Sequence, residues 1–256
     1  MYRESVKSLG AGAKNKVSFL TNNPFGYFIS AMMAGMFVGF GVLLDFTIGG
    51  LLAGSPSTKI VMGVSFGIAL SLVVIGGAEL FTGNNLVVTL GWMEKTISIR
   101  DGLKLWLTCY FGNWLGSIVL ALLFIGGGFS QGSVGEFIVN GTLGKIGIPF
   151  FPLLLRGVLC NILVCLAIWC ASRCKSESGK LIMIFWCLFA FITTGYEHSV
   201  ANMTVLTVGL LKPMGEAITI GGYLYNILTV TIGNMIGGIF FVALPYFWTS
   251  KRKDVA

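Results

Sequence analysis

Six long apolar stretches, at residues 23–50, 60–93, 103–129, 146–172, 181–211 and 218–249, alternate with short polar segments along the chain. A helix needs about 20 residues to cross the hydrocarbon core of a bilayer, so the pattern predicts six membrane-crossing helices. The second and fifth stretches exceed that length, and each carries an acidic residue in its middle, Glu79 and Glu197. An ionisable group at that depth is costly and is by default a functional-site hypothesis. Both stretches therefore read as broken helices. The sharpest interruption is Gly195-Tyr196-Glu197-His198-Ser199-Val200-Ala201-Asn202, which sets the single histidine of the chain beside Glu197. The bland alternative is a buried polar pair that only holds helices together.

Composition agrees with the pattern. Of 256 residues, 55% are hydrophobic and 11% charged, with a mean hydropathy of +0.86. Soluble domains spend about a quarter of their residues on charge, so the chain reads as one all-alpha polytopic membrane domain over 1–256. The 36 glycines suit helices whose backbones approach closely in lipid. Cys160, Cys165 and Cys170 fall inside one apolar run and read as small apolar fillers. Cys170 and Cys174 have an i,i+4 spacing without a third ligand nearby, so neither a metal nor a cofactor is expected. The first twenty residues carry Arg3, Lys7, Lys14 and Lys16 without a continuous apolar core, which reads as an amphipathic surface helix rather than a cleavable signal peptide.

The net charge of +7 does not point to nucleic acid, because the basic residues are scattered over short loops. Sorted by loop, one side holds thirteen: Arg3, Lys7, Lys14, Lys16, Lys95, Arg100, Lys104, Arg173, Lys175, Lys180, Lys251, Arg252 and Lys253. The other side, with its flanking span ends, holds four: Lys59, Lys145, Arg156 and Lys212. Cytoplasmic loops carry the excess of Lys and Arg, so both termini are expected in the cytoplasm. An even number of crossings requires the same.

A repeat links the two halves. Gly77-Ala78-Glu79-Leu80-Phe81-Thr82-Gly83-Asn84 matches Gly195 to Asn202 with Gly, Glu and Asn at equal offsets, 118 residues apart. Gly112-Asn113 in the third stretch matches Gly233-Asn234 in the sixth, 121 residues apart. Each half, 23–129 and 146–249, then holds three spans, an odd number, so the second half enters from the opposite side. An inverted three-plus-three repeat of this kind brings its interrupted helices together at a midplane site.

Irregular backbone in hydrocarbon is tolerable only when buried in protein or lining a wet cavity. Thr82, Asn84 and Asn85 at one break, and His198, Ser199, Asn202 and Thr204 at the other, offer polar groups to such a cavity. Half-helices starting near Asn84 and Asn202 would point free N–H groups and positive dipole ends inward, which favours an anion. His198 can donate a hydrogen bond or a proton to an anion that has lost its hydration. Asn161 either orients the imidazole ring or ties two helices together. Glu79 and Glu197 read as architecture, accepting hydrogen bonds from free N–H groups at the breaks, with direct proton transfer as the alternative. Lys145 and Arg156 would stand on the outer side and concentrate anions at the mouth, or simply snorkel. Phe66, Leu70, Leu80, Phe81, Val164 and Phe191 surround the site as ordinary core or as pore constrictions.

These motifs resemble the formate/nitrite transporter family. The resemblance rests on Asn22-Asn23-Pro24 with Gly26, Ala78-Glu79-Leu80-Phe81-Thr82-Gly83, Gly112-Asn113, Cys160-Asn161-Ile162-Leu163-Val164-Cys165-Leu166-Ala167, Gly195 to Met203, and Gly233-Asn234. It implies an aquaporin-like six-span protomer assembled as a homopentamer, with one pore per protomer, in a bacterial inner membrane. It also implies passage of small monovalent anions and protons, with His198 central and Phe66, Leu70 and Phe191 as constrictions. Leu80, Phe81 and Thr82 would form the first broken-helix loop, Asn202 and Asn161 would stand near His198, and Lys145 would serve the outer vestibule. The basic Arg156 and Gly83 after Thr82 are similar to the nitrite branch, whereas Asn84-Asn85 departs from its pattern. Nitrite is the expected anion, with hydrosulfide and formate as alternatives. Three rivals are a neutral-solute channel, a membrane enzyme using His198 and Glu197, and a purely structural scaffold with a filled protomer.

Overall fold

The computed structural model describes residues 2–251, so Arg252 and Lys253 of the basic count lie outside the described residues. Six helices are long and apolar enough to cross a membrane, and no strand occurs among the described residues. In chain order the elements are α1 (Arg3–Asn22), α2 (Pro24–Leu51), α3 (Thr58–Ser65), α4 (Gly67–Gly76), α5 (Phe81–Met93) and α6 (Ile99–Gly126). They continue as α7 (Gly132–Ile146), α8 (Phe150–Arg173), α9 (Glu177–Thr194), α10 (Ser199–Leu211), α11 (Ile220–Gly238) and α12 (Leu244–Ser250). Four of the spanning helices start on a side-chain cap. Asn23 accepts from the Gly26 N–H at 2.9 Å with Pro24 opening α2, and Ser98, Ser176 and Thr219 cap α6, α9 and α11 in the same way.

Two helix pairs, α2 with α6 and α8 with α11, pack along most of their length. Small residues permit it: a Cβ on Gly116 would run into the Met32 carbonyl, and one on Gly237 into the Val158 carbonyl. Outward-facing Phe40, Leu107, Leu155 and Ile232 remain exposed, as expected of a lipid-facing surface.

Helical geometry is interrupted near both Glu79 and Glu197. Helix α4 ends at Gly76 and α5 begins at Phe81; α9 ends at Thr194 and α10 begins at Ser199. Helices α5 and α10 have 13 residues each, a length of about 20 Å that falls short of a crossing. They are enclosed by the others, with every residue from Phe81 to Gly91 and from Ser199 to Gly209 buried.

The structure departs from the sequence pattern in four places. Residues 132–146, read as a loop, form helix α7. Helix α1 does more than lie on a surface: it buries Val6, Gly10, Ala13 and Leu20 and packs on α5. The second span also kinks at Phe66, between α3 and α4. In the last span a π-helical turn, Ile239–Ala243, precedes Pro245, whose missing N–H an ordinary helical turn accommodates poorly.

Segments expected on one side of the membrane do meet at one end of the bundle. Arg3 pairs with Glu94, the Arg173 guanidinium lies 5.0 Å from the Tyr2 ring, and Trp169 stacks on Tyr246.

Candidate functional site

The two breaks share one construction. Gly77 and Gly195 turn the chain at φ of 75° and 76°, a region that favours glycine. Leu80 and His198 then adopt matching extended conformations, φ −105° and −114°, and serve as the N-caps of α5 and α10. Opposite each break stands an asparagine from the middle of a spanning helix. Asn113 accepts from the Phe81 N–H at 2.9 Å and donates to the carbonyls of Glu79 (2.8 Å) and Ala31 (2.7 Å). Asn234 accepts from the Ser199 N–H at 2.9 Å and donates to the carbonyls of Glu197 (3.0 Å) and Gly157 (2.8 Å). Backbone freed by the breaks is thereby paired again, as burial in hydrocarbon requires.

The carboxylates take different partners from those the sequence suggests. Glu79 accepts from Lys16 Nζ (2.6 Å), the Tyr27 hydroxyl (3.1 Å) and Asn84 Nδ2 (3.1 Å). Glu197 accepts from Lys145 Nζ at 2.9 Å through both oxygens and from Asn202 Nδ2 at 2.6 Å. The free N–H groups at the helix starts go instead to Asn113 and Asn234, because amide side chains can accept and donate at once and a carboxylate can only accept. The half-helices also begin three residues before Asn84 and Asn202, which sit one turn inside and reach back to the carboxylates. Lys145 thus anchors a break, and Lys16 of α1 is its counterpart.

Three cavities adjoin one another beside the breaks. A cleft of about 460 Å³ on the Lys16 side is lined by Lys16, Glu79, Leu80, Gly83 and Asn84. Next comes a space of about 10 Å³ among Val38, Phe66, Leu70, Leu80, Val164, Phe191 and His198. On the Lys145 side lies one of about 40 Å³, lined by Asp45, Phe66, Lys145, Tyr196, Phe191, His198 and Asn202. Leu80 separates the first two, and Phe66, Phe191 and His198 are shared by the last two. Phe66 meets Phe191 edge-on at 5.4 Å, and Phe191 stacks on the imidazole at 6.1 Å. The middle space holds about one water, so an ion passing through it sheds its hydration shell.

His198 is fixed at both ring nitrogens. Nδ1 accepts from the Ala201 N–H at 3.0 Å, capping α10, and Nε2 lies 2.9 Å from the Thr82 hydroxyl. A nitrogen that accepts carries no hydrogen, so the ring is the neutral tautomer with its hydrogen on Nε2.

Other expected site residues divide. Leu80, Phe66, Leu70, Val164 and Phe191 line the narrow space, and Thr82 reaches it through His198. The Phe81 ring turns away onto Trp106 and Tyr110 of α6. Asn161 does not orient the imidazole: its Nδ2 donates to the carbonyls of Asn234 (2.6 Å) and Thr82 (3.3 Å) and ties α8 to α11 and to the start of α5. Arg156 lines none of the three cavities; its side chain is exposed on α8, and its carbonyl accepts from the Glu197 N–H at 3.2 Å. Asn113 and Asn234 have no role legible in the sequence beyond the repeat, although their similar placement, 34 residues after Glu79 and 37 after Glu197, was the signal. Lys16 and Asp45 carried no signal at all.

Residues 3–248 match the Formate/nitrite transporter family. The nitrite transporter NirC of Salmonella typhimurium is 41% identical over 256 residues, covering 99% of this chain and 94% of that protein. The uncharacterized transporter YwcJ of Bacillus subtilis is 33% identical, covering 96% of this chain and 98% of that one. Among solved structures, an FNT family ion channel superposes with a TM-score of 0.92 at 40% identity, covering 97% of this chain and 99% of that one. A pentameric formate channel with formate bound gives 0.77 at 26% identity, covering 88% and 96%. Together with the six spans and the paired breaks, these matches establish that the chain belongs to the formate/nitrite transporter family.

Proposed function

We propose that the chain conducts a small monovalent weak-acid anion, nitrite first, past His198. The chain is a small-anion channel or transporter rather than an enzyme; the finer reading concerns which anion passes and how. It rests on one observation: His198, whose Nε2 lies 2.9 Å from the Thr82 hydroxyl, lines both the narrowest space and the cavity on the Lys145 side. An anion crossing between Leu80 on one side and Phe66 and Phe191 on the other loses water, and a hydrogen bond from Nε2 in place of Thr82 offsets part of that loss.

Handing over a proton would require an imidazolium or leave an imidazolate, and Nδ1 is already engaged with Ala201. The ring therefore acts as a hydrogen-bond donor. Glu197 faces Lys145 and Asn202 while His198 faces Thr82, so the two do not form an acid–base pair. Adjoining cavities also speak against a filled scaffold.

On the same reading, residues 23–129 and 146–249 are the halves of an aquaporin-like inverted repeat, each preceded by a helix, α1 or α7, whose lysine holds its break. The protomer assembles as a homopentamer, in line with its likeness to a pentameric formate channel, carries its own pore, and sits in a bacterial inner membrane with both termini cytoplasmic. Nitrite is favoured by the likeness to the nitrite transporters.

Initial rates of nitrite, formate and hydrosulfide uptake into proteoliposomes, compared across pH, test the assignment. Nitrite is expected to pass fastest. Equal rates for all three would remove the nitrite assignment and leave a general small-anion channel.

A further inference from the structure

Asp45 lies on α2, 2% exposed, and none of the ion pairs among the described residues includes it. It lines the Lys145-side cavity together with His198, Phe66 and Phe191. Its partner is Ser65, whose Oγ stands 3.0 Å from Asp45 Oδ1. Ser65 immediately precedes the constriction residue Phe66, at the kink between α3 and α4.

That contact accepts either charge state of the carboxyl. The Ser65 hydroxyl has one hydrogen but three oxygens in reach: Asp45 Oδ1, the Met62 carbonyl at 2.8 Å and the Val61 carbonyl at 3.1 Å. With its hydrogen on a helix carbonyl, Oγ accepts from a protonated Asp45; with the hydrogen turned around, it donates to the carboxylate. Rotation of one hydroxyl suffices for the exchange, and the released proton goes to water on the Lys145 side.

Three further titratable groups line this cavity. Lys145 on α7 is paired with Glu197, Tyr196 lies in the second break, and His198 caps α10. Helices α3, α4 and α6 contribute no charged group to the lining. Asp45 is therefore the one carboxyl of the lining, beside a donor histidine and a paired lysine.

We propose that Asp45 sets the rate and charge selectivity of passage on the Lys145 side. Protonated, it leaves Lys145 and His198 to face an incoming anion. Ionised, it places a negative charge in the same small cavity and slows anions. The inference rests on the anion reading above, and it moves the pH dependence of the protein from His198 to Asp45.

The test is nitrite uptake into proteoliposomes at fixed internal pH, with external pH varied from about 5.5 to 8.5 to span carboxyl and imidazole titration. Wild type, Asp45→Asn and Asp45→Glu are compared after size-exclusion confirms equal assembly. Asp45→Asn, locked neutral, is expected to exceed wild type by about tenfold at the alkaline end and to match it at the acid end. Asp45→Glu restores the pH dependence. Ser65→Ala, which removes the rotating hydroxyl but keeps the carboxyl, shifts the profile along the pH axis and serves if Asp45→Asn does not assemble. A wild-type profile in Asp45→Asn, or an unshifted one in Ser65→Ala, overturns the inference. Absence of nitrite, formate and hydrosulfide flux in wild type would instead overturn the anion reading beneath it.

Discussion

The first break, around Leu80, and the second, around His198, are alike in everything that holds them and unlike in what they present. Each has a positive-φ glycine, an extended N-cap, a mid-helix asparagine that satisfies three backbone groups, and a carboxylate held by a lysine and an asparagine. At the cap itself one presents an isobutyl group and the other an imidazole. Shared chemistry therefore maintains the irregular backbone in hydrocarbon, and the difference at the cap is where the proposed anion function lies. Leu80 also shows that this backbone needs no side-chain cap.

The likeness can be broken most strongly at the asparagines. Asn113→Ala and Asn234→Ala each leave one buried N–H unpaired, at about 1–3 kcal/mol, and remove a donor from two carbonyls beside the break. Thermal unfolding in detergent is expected to show comparable, severe losses for both. A mild effect at either position would end the claim of a common scaffold.

Next in size are the lysines. Truncating one member of a buried ion pair costs about 3–5 kcal/mol, and less where water reaches it. Lys145→Ala should destabilise more than Lys16→Ala, because side-chain exposures of 19% and 5% for Lys145 and Glu197 compare with 25% and 12% for Lys16 and Glu79. Adding Glu197→Gln to Lys145→Ala should recover part of the loss, and no recovery in the unfolding curve would place Lys145 outside the scaffold.

Thr82→Val isolates the contact between the breaks. It removes a hydrogen bond of about 1 kcal/mol, so the nitrite rate should change by about fivefold while the melting temperature barely moves. Smallest in their effect on uptake are Gly77→Ala and Gly195→Ala. Each forces a side chain into the left-handed region at about 1–2 kcal/mol, and the two melting shifts should agree.

Much of this was legible in the sequence. Hydrophobic runs located all six spans, and the acidic interruptions located both breaks, because polar groups are rare in hydrocarbon and stand out against it. The recurrence of Glu79 and Asn113 at Glu197 and Asn234 picked out residues that make matching hydrogen bonds at the two breaks. Helix α7 escaped because its glycines and polar residues dilute the apolar period, although its amphipathic partner α1 was readable. Hydrogen-bond direction also escaped: the pattern shows that Glu197 and Asn202 are close, but only geometry shows Lys145 reaching the carboxylate and Asn161 serving the carbonyls rather than the imidazole. Asp45 was invisible because a single acid near the end of an apolar run looks interfacial until the fold turns it inward.

The most direct test of the central claim makes the two breaks alike. In His198→Leu both caps are leucine, a residue the first break already accommodates, so the protein should assemble and melt nearly as wild type. Nitrite uptake into proteoliposomes should fall by more than about tenfold, the loss of a charge-assisted hydrogen bond of about 1.5–3 kcal/mol in a dry passage. Wild-type uptake by a folded His198→Leu protein would contradict the account.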